Sequence, residues 1–343
     1  MYRVGVPGGW EPLVETTRGG RVESVHLGAL AVVDVDGRVH WSIGDAQLVN
    51  FPRSSLKPLQ LLALVARGGV ERFGFTRSEL AVMAASHVGE AMHIQAVSNV
   101  LAKIGAPPEA LMCGAHMPIN SAAAAELRTS GQPPTALHNN CSGKHAGMLA
   151  LARLLHAPLA DYIDPEHPAQ RAIRATLIEV LELDQSNLTV GVDGCSAPAY
   201  AVPLDKMARG FALLGQPSAA PRQFQPALAT IAGAMREHPE LVAGSSGRID
   251  TELMRMPSSP LVAKGGAECY FCMGHADGLG FAIKIIDGDP AHRARSVAVA
   301  AAAEHLGWAA PGALAEFGPS LPITNWAERT TGEIRPTRLL LGK

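Results

Sequence analysis

The chain has 343 residues, long enough for one large mixed domain or two ordinary ones, and its 47% hydrophobic share supports a sizeable core. A formal net charge of −2 and 5% aromatics, with no basic stripe, exclude a nucleic acid or a membrane surface as the expected partner. Five cysteines and no leader pattern in Met1–Gly20 argue against a disulfide framework and for a reducing, cytoplasmic setting.

Val25–Asp34 and Arg38–Ile43 are β-branched runs separated by Val35-Asp36-Gly37, and Asp-Gly between apolar runs predicts a hairpin. Ser54–Val65 reads as a helix, with Pro58 tolerable because it falls in the first turn. Helical patterns follow at Ser78–Ala84, Glu90–Ile104, His145–Leu155, Pro168–Leu183, Phe224–Glu237 and Ala291–Leu306. The longest apolar stretch, Ala146–Leu155, contains Arg153 and is too short to span a bilayer. A second hairpin is expected from Glu268–Met273 and Gly280–Asp287 around Ala276-Asp277-Gly278.

Hairpins at both ends and helices between them predict an α+β fold: an antiparallel sheet drawn from both termini with helices packed on it. The chain is read as a single domain, residues 1–343, with a helical insertion at roughly 55–240. Neither the strand–helix alternation nor the glycine-rich phosphate turn of a doubly wound fold is evident.

Several constellations carry potential chemistry. Ser54-Ser55-Leu56-Lys57 sets a hydroxyl one helical turn from an amine, and a serine becomes a good nucleophile only when a neighbouring base takes its proton. The lysine must then be neutral, which requires burial or a nearby second cation. The bland alternative is a capping serine beside a solvated lysine.

Ser86-His87 lies in a polar turn closed by Gly89 and Glu90, where His87 serves either as a base or as a hydrogen-bonding neighbour. His138–His145 concentrates histidine, amide, thiol and amine groups in one loop entering a helix near Gly143, and such groups are costly to bury unpaired. That helix start also offers free N–H groups for a carboxylate or an oxyanion. Asp193-Gly194-Cys195 looks like a turn by itself, yet Cys195 with Cys141 and a nitrogen donor would complete an open tetrahedral zinc site. Ordinary ligand rules favour His145 as that donor, with Lys144 an exceptional choice. Cys269-Tyr-Phe-Cys272 has redox spacing but falls in an expected strand, so these two are read as structural.

Together these residues resemble the rhizobial-type (class 3, zinc-containing) L-asparaginases, a family related in fold to serine β-lactamases and glutaminases. The resemblance rests on Arg53-Ser54-x-x-Lys57-Pro58, Ala85-Ser86-His87, Asn140-Cys141-Ser142-Gly143-Lys144-His145, Asp193-Gly194-Cys195, Arg236-x-His238-Pro239-Glu240 and Lys264-Gly265-Gly266. It implies a homodimeric αβα-sandwich amidohydrolase that splits the side-chain amide of L-asparagine into L-aspartate and ammonia.

By motif, the family's two Ser–Lys tandems fall on Ser54 with Lys57 and on Ser86 with Lys264, and its zinc ligands on Cys141, Lys144 and Cys195. Arg53, His87, Asn140, His145 and Asp193 are then substrate-binding or supporting residues. Where relatives carry a third pocket cysteine, this chain reads Gly247-Arg248-Ile249-Asp250. Competing expectations are a glutaminase or β-lactamase-like hydrolase of the same fold, and a non-catalytic zinc-binding protein. Against a cell-wall hydrolase stands the lack of a Ser-Asp-Asn motif.

Overall fold

The computed structural model describes residues 8–256 and 260–342. Part of the N-terminal stretch read for a leader, residues 1–7, lies outside them.

The chain opens with three strands, β1 (Glu11–Arg18), β2 (Arg21–Asp34) and β3 (Val39–Ile43). The expected Asp-Gly hairpin joins the last two. Gly37 adopts φ +88°, and the Asp34 carboxylate accepts the backbone N–H groups of Asp36 and Arg38 to close the turn. Five strands come from the other end: β4 (Leu261–Gly265), β5 (Tyr270–His275), β6 (Leu279–Ile285), β7 (Leu321–Thr324) and β8 (Thr330–Pro336).

All eight join one sheet in the order β7-β8-β1-β2-β6-β5-β4, with β3 also on β2. Every pairing is antiparallel. Both termini thus build the sheet, as the hairpins predicted, because β2 pairs β6 from Gly28–Ile285 to Asp34–Leu279. The outer strands β1, β7 and β8 went unread. Leu321–Thr324 and Thr330–Pro336 carry proline, glycine and polar residues; the second is held on β1, some 300 residues away in sequence, and the first pairs only with the second.

Between β3 and β4 the chain is mainly helical. It includes α1 (Lys57–Val65), α2 (Arg77–Met83), α3 (Ala91–Ile104), α4 (Ser142–Leu154), α5 (Pro168–Leu181), α6 (Leu204–Gly215), α7 (Gln225–Glu237) and α8 (Ile249–Arg255). After β6 comes α9 (Ala294–His305). Helix α6 packs on β2, β5 and β6, whereas α9 packs on β1, β5 and β8. The result is an α+β sandwich of helices on a large antiparallel sheet.

Two glycines set how close α6 lies. Gly274 and Gly280 face each other across β5 and β6. A Cβ on either would stand 1.8 Å from the Phe211 carbonyl oxygen or 1.9 Å from that of Ala208. No described helix is long and apolar enough to cross a membrane.

Candidate active site

The helix expected from Ser54 to Val65 is two pieces: a 3₁₀ turn over Arg53–Leu56, then α1 starting at Lys57. Arg53, whose φ of +51° lies in the left-handed region, opens the turn, and Pro58 stands in the first turn of α1, where proline is tolerated. The turn is tied to the sheet by Ser55, whose hydroxyl donates to the Lys264 carbonyl at 2.9 Å. Ser54 and Lys57 are both buried at this junction of turn, helix and edge strand β4.

Lys57 reaches across to the segment after α2. Its Nζ donates to Ser86 Oγ at 2.9 Å and to the Ala85 carbonyl at 2.6 Å, and it lies 3.3 Å from Cys141 Sγ. Ser86 is itself fixed by a backbone bond from its N–H to the Val242 carbonyl, 3.0 Å. Among the described residues, the Ser54 hydroxyl has no hydrogen-bond partner within the fold.

The histidine- and cysteine-bearing loop enters the site because α4 packs tightly on α2. A Cβ at Gly143 would lie 1.9 Å from the Val82 carbonyl oxygen, so only glycine allows this approach. The loop is held by Asn139, whose side chain accepts the Cys141 N–H at 2.8 Å, and by His116, whose Nε2 accepts the Asn140 N–H at 3.0 Å.

Lys144 projects from the first turn of α4 toward the Asp193–Cys195 turn. Its Nζ is 3.0 Å from Cys195 Sγ and 3.4 Å from Asp193 Oδ2. Arg53 clamps the same Asp193 through Nε and Nη2, each 2.7 Å from Oδ1. The four segments named from the sequence therefore meet.

Charge is arranged in alternation. Cys195 beside it, and the charges of Lys57 and Lys144, push the Cys141 thiol well below its ordinary value despite burial. Cys141 beside it and burial push the Cys195 thiol up. Burial opposes the Lys144 ammonium, but the charges of Cys141, Cys195 and Asp193 together raise its affinity for the proton. For Asp193 burial is likewise outweighed, and Lys144 with Arg53 holds the carboxyl well below its usual range.

Lys264 is the exception among the cations. Burial, with Lys57 adding repulsion, brings it down to about 7, although Asp250 pulls the other way. Asp250, standing where the family resemblance expects a thiol, is wholly buried beside it. Its Oδ1 accepts the Gly265 N–H at 2.5 Å. Arg248, Lys264 and Arg295 keep it ionised against the cost of burial.

The two histidines of the sequence reading are inward-facing. His87 Nδ1 accepts the Gly89 N–H, which leaves Nε2–H to donate to Ser142 Oγ at 2.8 Å. Burial depresses its pKa well below the ordinary value, so it is neutral. His145 Nδ1 accepts from the Tyr162 hydroxyl at 2.6 Å, and burial depresses it too. That bond turns His145 to Tyr162, while Lys144 faces the cysteines.

Neither expected Ser–Lys tandem is hydrogen-bonded as such among the described residues. Lys57 bonds Ser86, and the hydrogen bond of Lys264 Nζ is to the Gly265 carbonyl at 2.6 Å. Sequence reasoning missed Ser55, His116 and Tyr162, which fix Lys264, Asn140 and His145. Ser55 lay inside the Ser54–Lys57 motif but its partner strand did not show, and Tyr162 sits in a loop 17 residues from its partner.

A family model described as L-asparaginase II matches residues 14–336. No curated protein matches the chain. Among solved structures, a β-lactamase from Mycobacterium bovis is 15% identical, with 76% of this chain and 87% of that one covered at a TM-score of 0.37. Mglu in its native form is 14% identical, with 82% and 61% covered at 0.36. Those likenesses are distant and carry no argument. The family model spans nearly the whole chain and contains every segment of the site described above, and this chain is thereby a member of the L-asparaginase II family, an amidohydrolase of the asparaginase type.

Proposed function

We propose that the protein hydrolyses the side-chain amide of L-asparagine to L-aspartate and ammonia by acyl transfer through Ser54. The observation that carries this reading is the buried contact of Lys57 Nζ with Ser86 Oγ at 2.9 Å, beside a serine whose own hydroxyl is uncommitted. Ser54 Oγ attacks the amide carbon and its proton passes to the amine system of Lys57, Ser86 and Lys264. Collapse of the tetrahedral adduct expels the nitrogen, which takes that proton and leaves as ammonia. Water then attacks the aspartyl ester, returns the proton to Ser54 and releases L-aspartate. Lys264, near 7, is the amine best placed to be neutral at working pH.

Acyl-enzyme trapping at low pH followed by peptide mass spectrometry tests this. The added aspartyl mass is expected on the Ser54 peptide. An adduct on Ser86 would exchange the two roles, and none on either would remove the acyl-transfer reading.

The donor set also fits a thiophilic divalent cation. Two sulfurs and an amine lie in these loops, with Lys144 Nζ 3.0 Å from Cys195 Sγ and the Cys141 thiol pushed well below its ordinary value. Among the described residues no group of three or more histidine, cysteine or carboxylate side chains could hold a metal, and it is the family resemblance that makes Lys144 the third donor of this proposal. Zinc held there by Cys141, Lys144 and Cys195 would supply Lewis acidity toward a substrate carbonyl or carboxylate. Cys141→Ala and Cys195→Ala are each expected to abolish stoichiometric zinc in elemental analysis. Unmutated protein grown with zinc and found metal-free would refute the assignment. A homodimer is the proposed assembly, checked by sedimentation.

A further inference from the structure

A cavity of about 260 Å³ lies behind the edge strand β4, between the residues that open α8 and those that open α9. Its lining includes no serine, lysine or cysteine of the candidate active site. Side chains alternate along a strand, and a Cβ at Gly265 would stand 3.0 Å from Asp250 Oδ1. Asp250 therefore covers the face of β4 opposite the one from which the Lys264 side chain leaves, and the cavity opens on that side.

The lining is cationic. Two guanidiniums, Arg248 and Arg295, face Asp250, the one carboxylate among the lining residues. The Arg295 guanidinium has one described hydrogen bond, to the Gly266 carbonyl at 3.2 Å, and no described carboxylate partner. Arg248 Nη2 lies 3.7 Å from Asp250 Oδ2, too far for a hydrogen bond. His292, exposed at the mouth, and half-buried Ser296 add a ring N–H and a hydroxyl, while Phe317 forms an apolar wall.

Asp250 decides which anion suits these donors. Its Oδ1 accepts the Gly265 N–H, whereas Oδ2 is buried with no hydrogen bond among the described residues. An ionised carboxylate can only accept. Sulfate or another carboxylate would bring it nothing but lone pairs, but an oxyanion that keeps a proton brings an O–H. Inorganic phosphate keeps at least one proton throughout the neutral range, whereas a phosphomonoester loses its last near pH ~6. Its other oxygens match the arginine forks.

We propose that this cavity is a binding site for inorganic phosphate, held by Arg248 and Arg295 with Ser296 and His292 at its mouth, and selected by Asp250 through the hydroxyl of the ion. The site lies outside the reactive centre and stands independently of the asparagine reaction. Because Asp250 also holds the Gly265 N–H, the occupant would rest against the segment that carries Lys264.

The test is calorimetric titration of the whole protein with inorganic phosphate, sulfate and methyl phosphate at pH ~8, where the monoester carries no proton. One phosphate per chain is expected, with sulfate and methyl phosphate each weaker by about tenfold or more. Arg295→Gln and Arg248→Gln, shown folded by near-ultraviolet dichroism, should each weaken phosphate by about tenfold. Asp250→Asn supplies a donor in place of an acceptor, so sulfate should gain on phosphate and the preference should collapse. L-aspartate at saturation should leave phosphate binding unchanged. The comparison of anions needs no variant, so the proposal stays open to refutation even if a variant fails to fold. No saturable phosphate binding, or equal binding of phosphate and sulfate by the unmutated protein, would overturn it. Displacement of phosphate by L-aspartate would place the ion in the reactive centre and overturn it as well.

Discussion

A lysine brought to about 7 inside a protein is an unusual object, because burying an ammonium costs several kcal/mol unless it is paired. Lys264 is wholly buried, and Asp250 alongside offsets part of that cost while Lys57 adds to it. The sign of the consequence is fixed. If Lys264 acts as a base, activity rises with pH through about 7, since the neutral amine forms above its pKa. Asp250→Asn removes a charge that favours the ammonium, so the rising limb should move to lower pH, by about one unit. The amide oxygen can still accept the Gly265 N–H, which keeps the turn in place. A pH–rate profile of kcat/KM reads this directly. A limb that stays fixed or moves to higher pH would show that the Asp250 charge does not govern the working lysine. Asp250 was visible in the sequence as a departure from the resemblance, but its contact with Gly265 was not, because 15 residues and a strand boundary separate them.

At the scale of elements, glycine decides which helices reach the site and the sheet. The sequence reading found α4 from its apolar pattern, but not why Gly143 must be glycine: the reason is a carbonyl 61 residues earlier, at Val82. Helix α6 went unread altogether. Its apolar residues Leu204, Met207, Ala208, Phe211 and Ala212 recur at helical spacing and were legible; Gly210 and Gly215 lower its intrinsic propensity, and packing on the sheet holds it. Gly280→Ala is therefore expected to destabilise by about 1–3 kcal/mol. The new Cβ would meet two backbone atoms, Ala208 O at 1.9 Å and Ala212 N at 2.4 Å, and neither can rotate away. Urea denaturation should show a lower midpoint at unchanged slope. A midpoint equal to that of the unmutated protein would mean α6 can move off the sheet at no cost. The hairpins, by contrast, were legible because Asp-Gly and β-branched runs act locally.

For the whole molecule, the main question is whether the sheet and the helices between its two halves fold as one unit. Ser54 and Lys57 come from the junction after β3, Cys141 and Lys144 from α4, Cys195 from a turn before α6, and Lys264 from β4. Ser55 bonds the Lys264 carbonyl, Lys57 bonds Ser86, and α6 packs on β2, β5 and β6 while touching α5 and α7. Opening the helical part alone would break these cross-links and strand a buried lysine such as Lys57. Urea unfolding should accordingly be a single transition, with ammonia release, near-ultraviolet dichroism and far-ultraviolet dichroism lost at one midpoint. Cooperative loss follows because the residues that hold the reactive groups also hold the two ends of the chain together. Activity disappearing at a urea concentration where the sheet signal is intact would place the helices in a separately unfolding body, and the site would then be an interface between two parts rather than the interior of one.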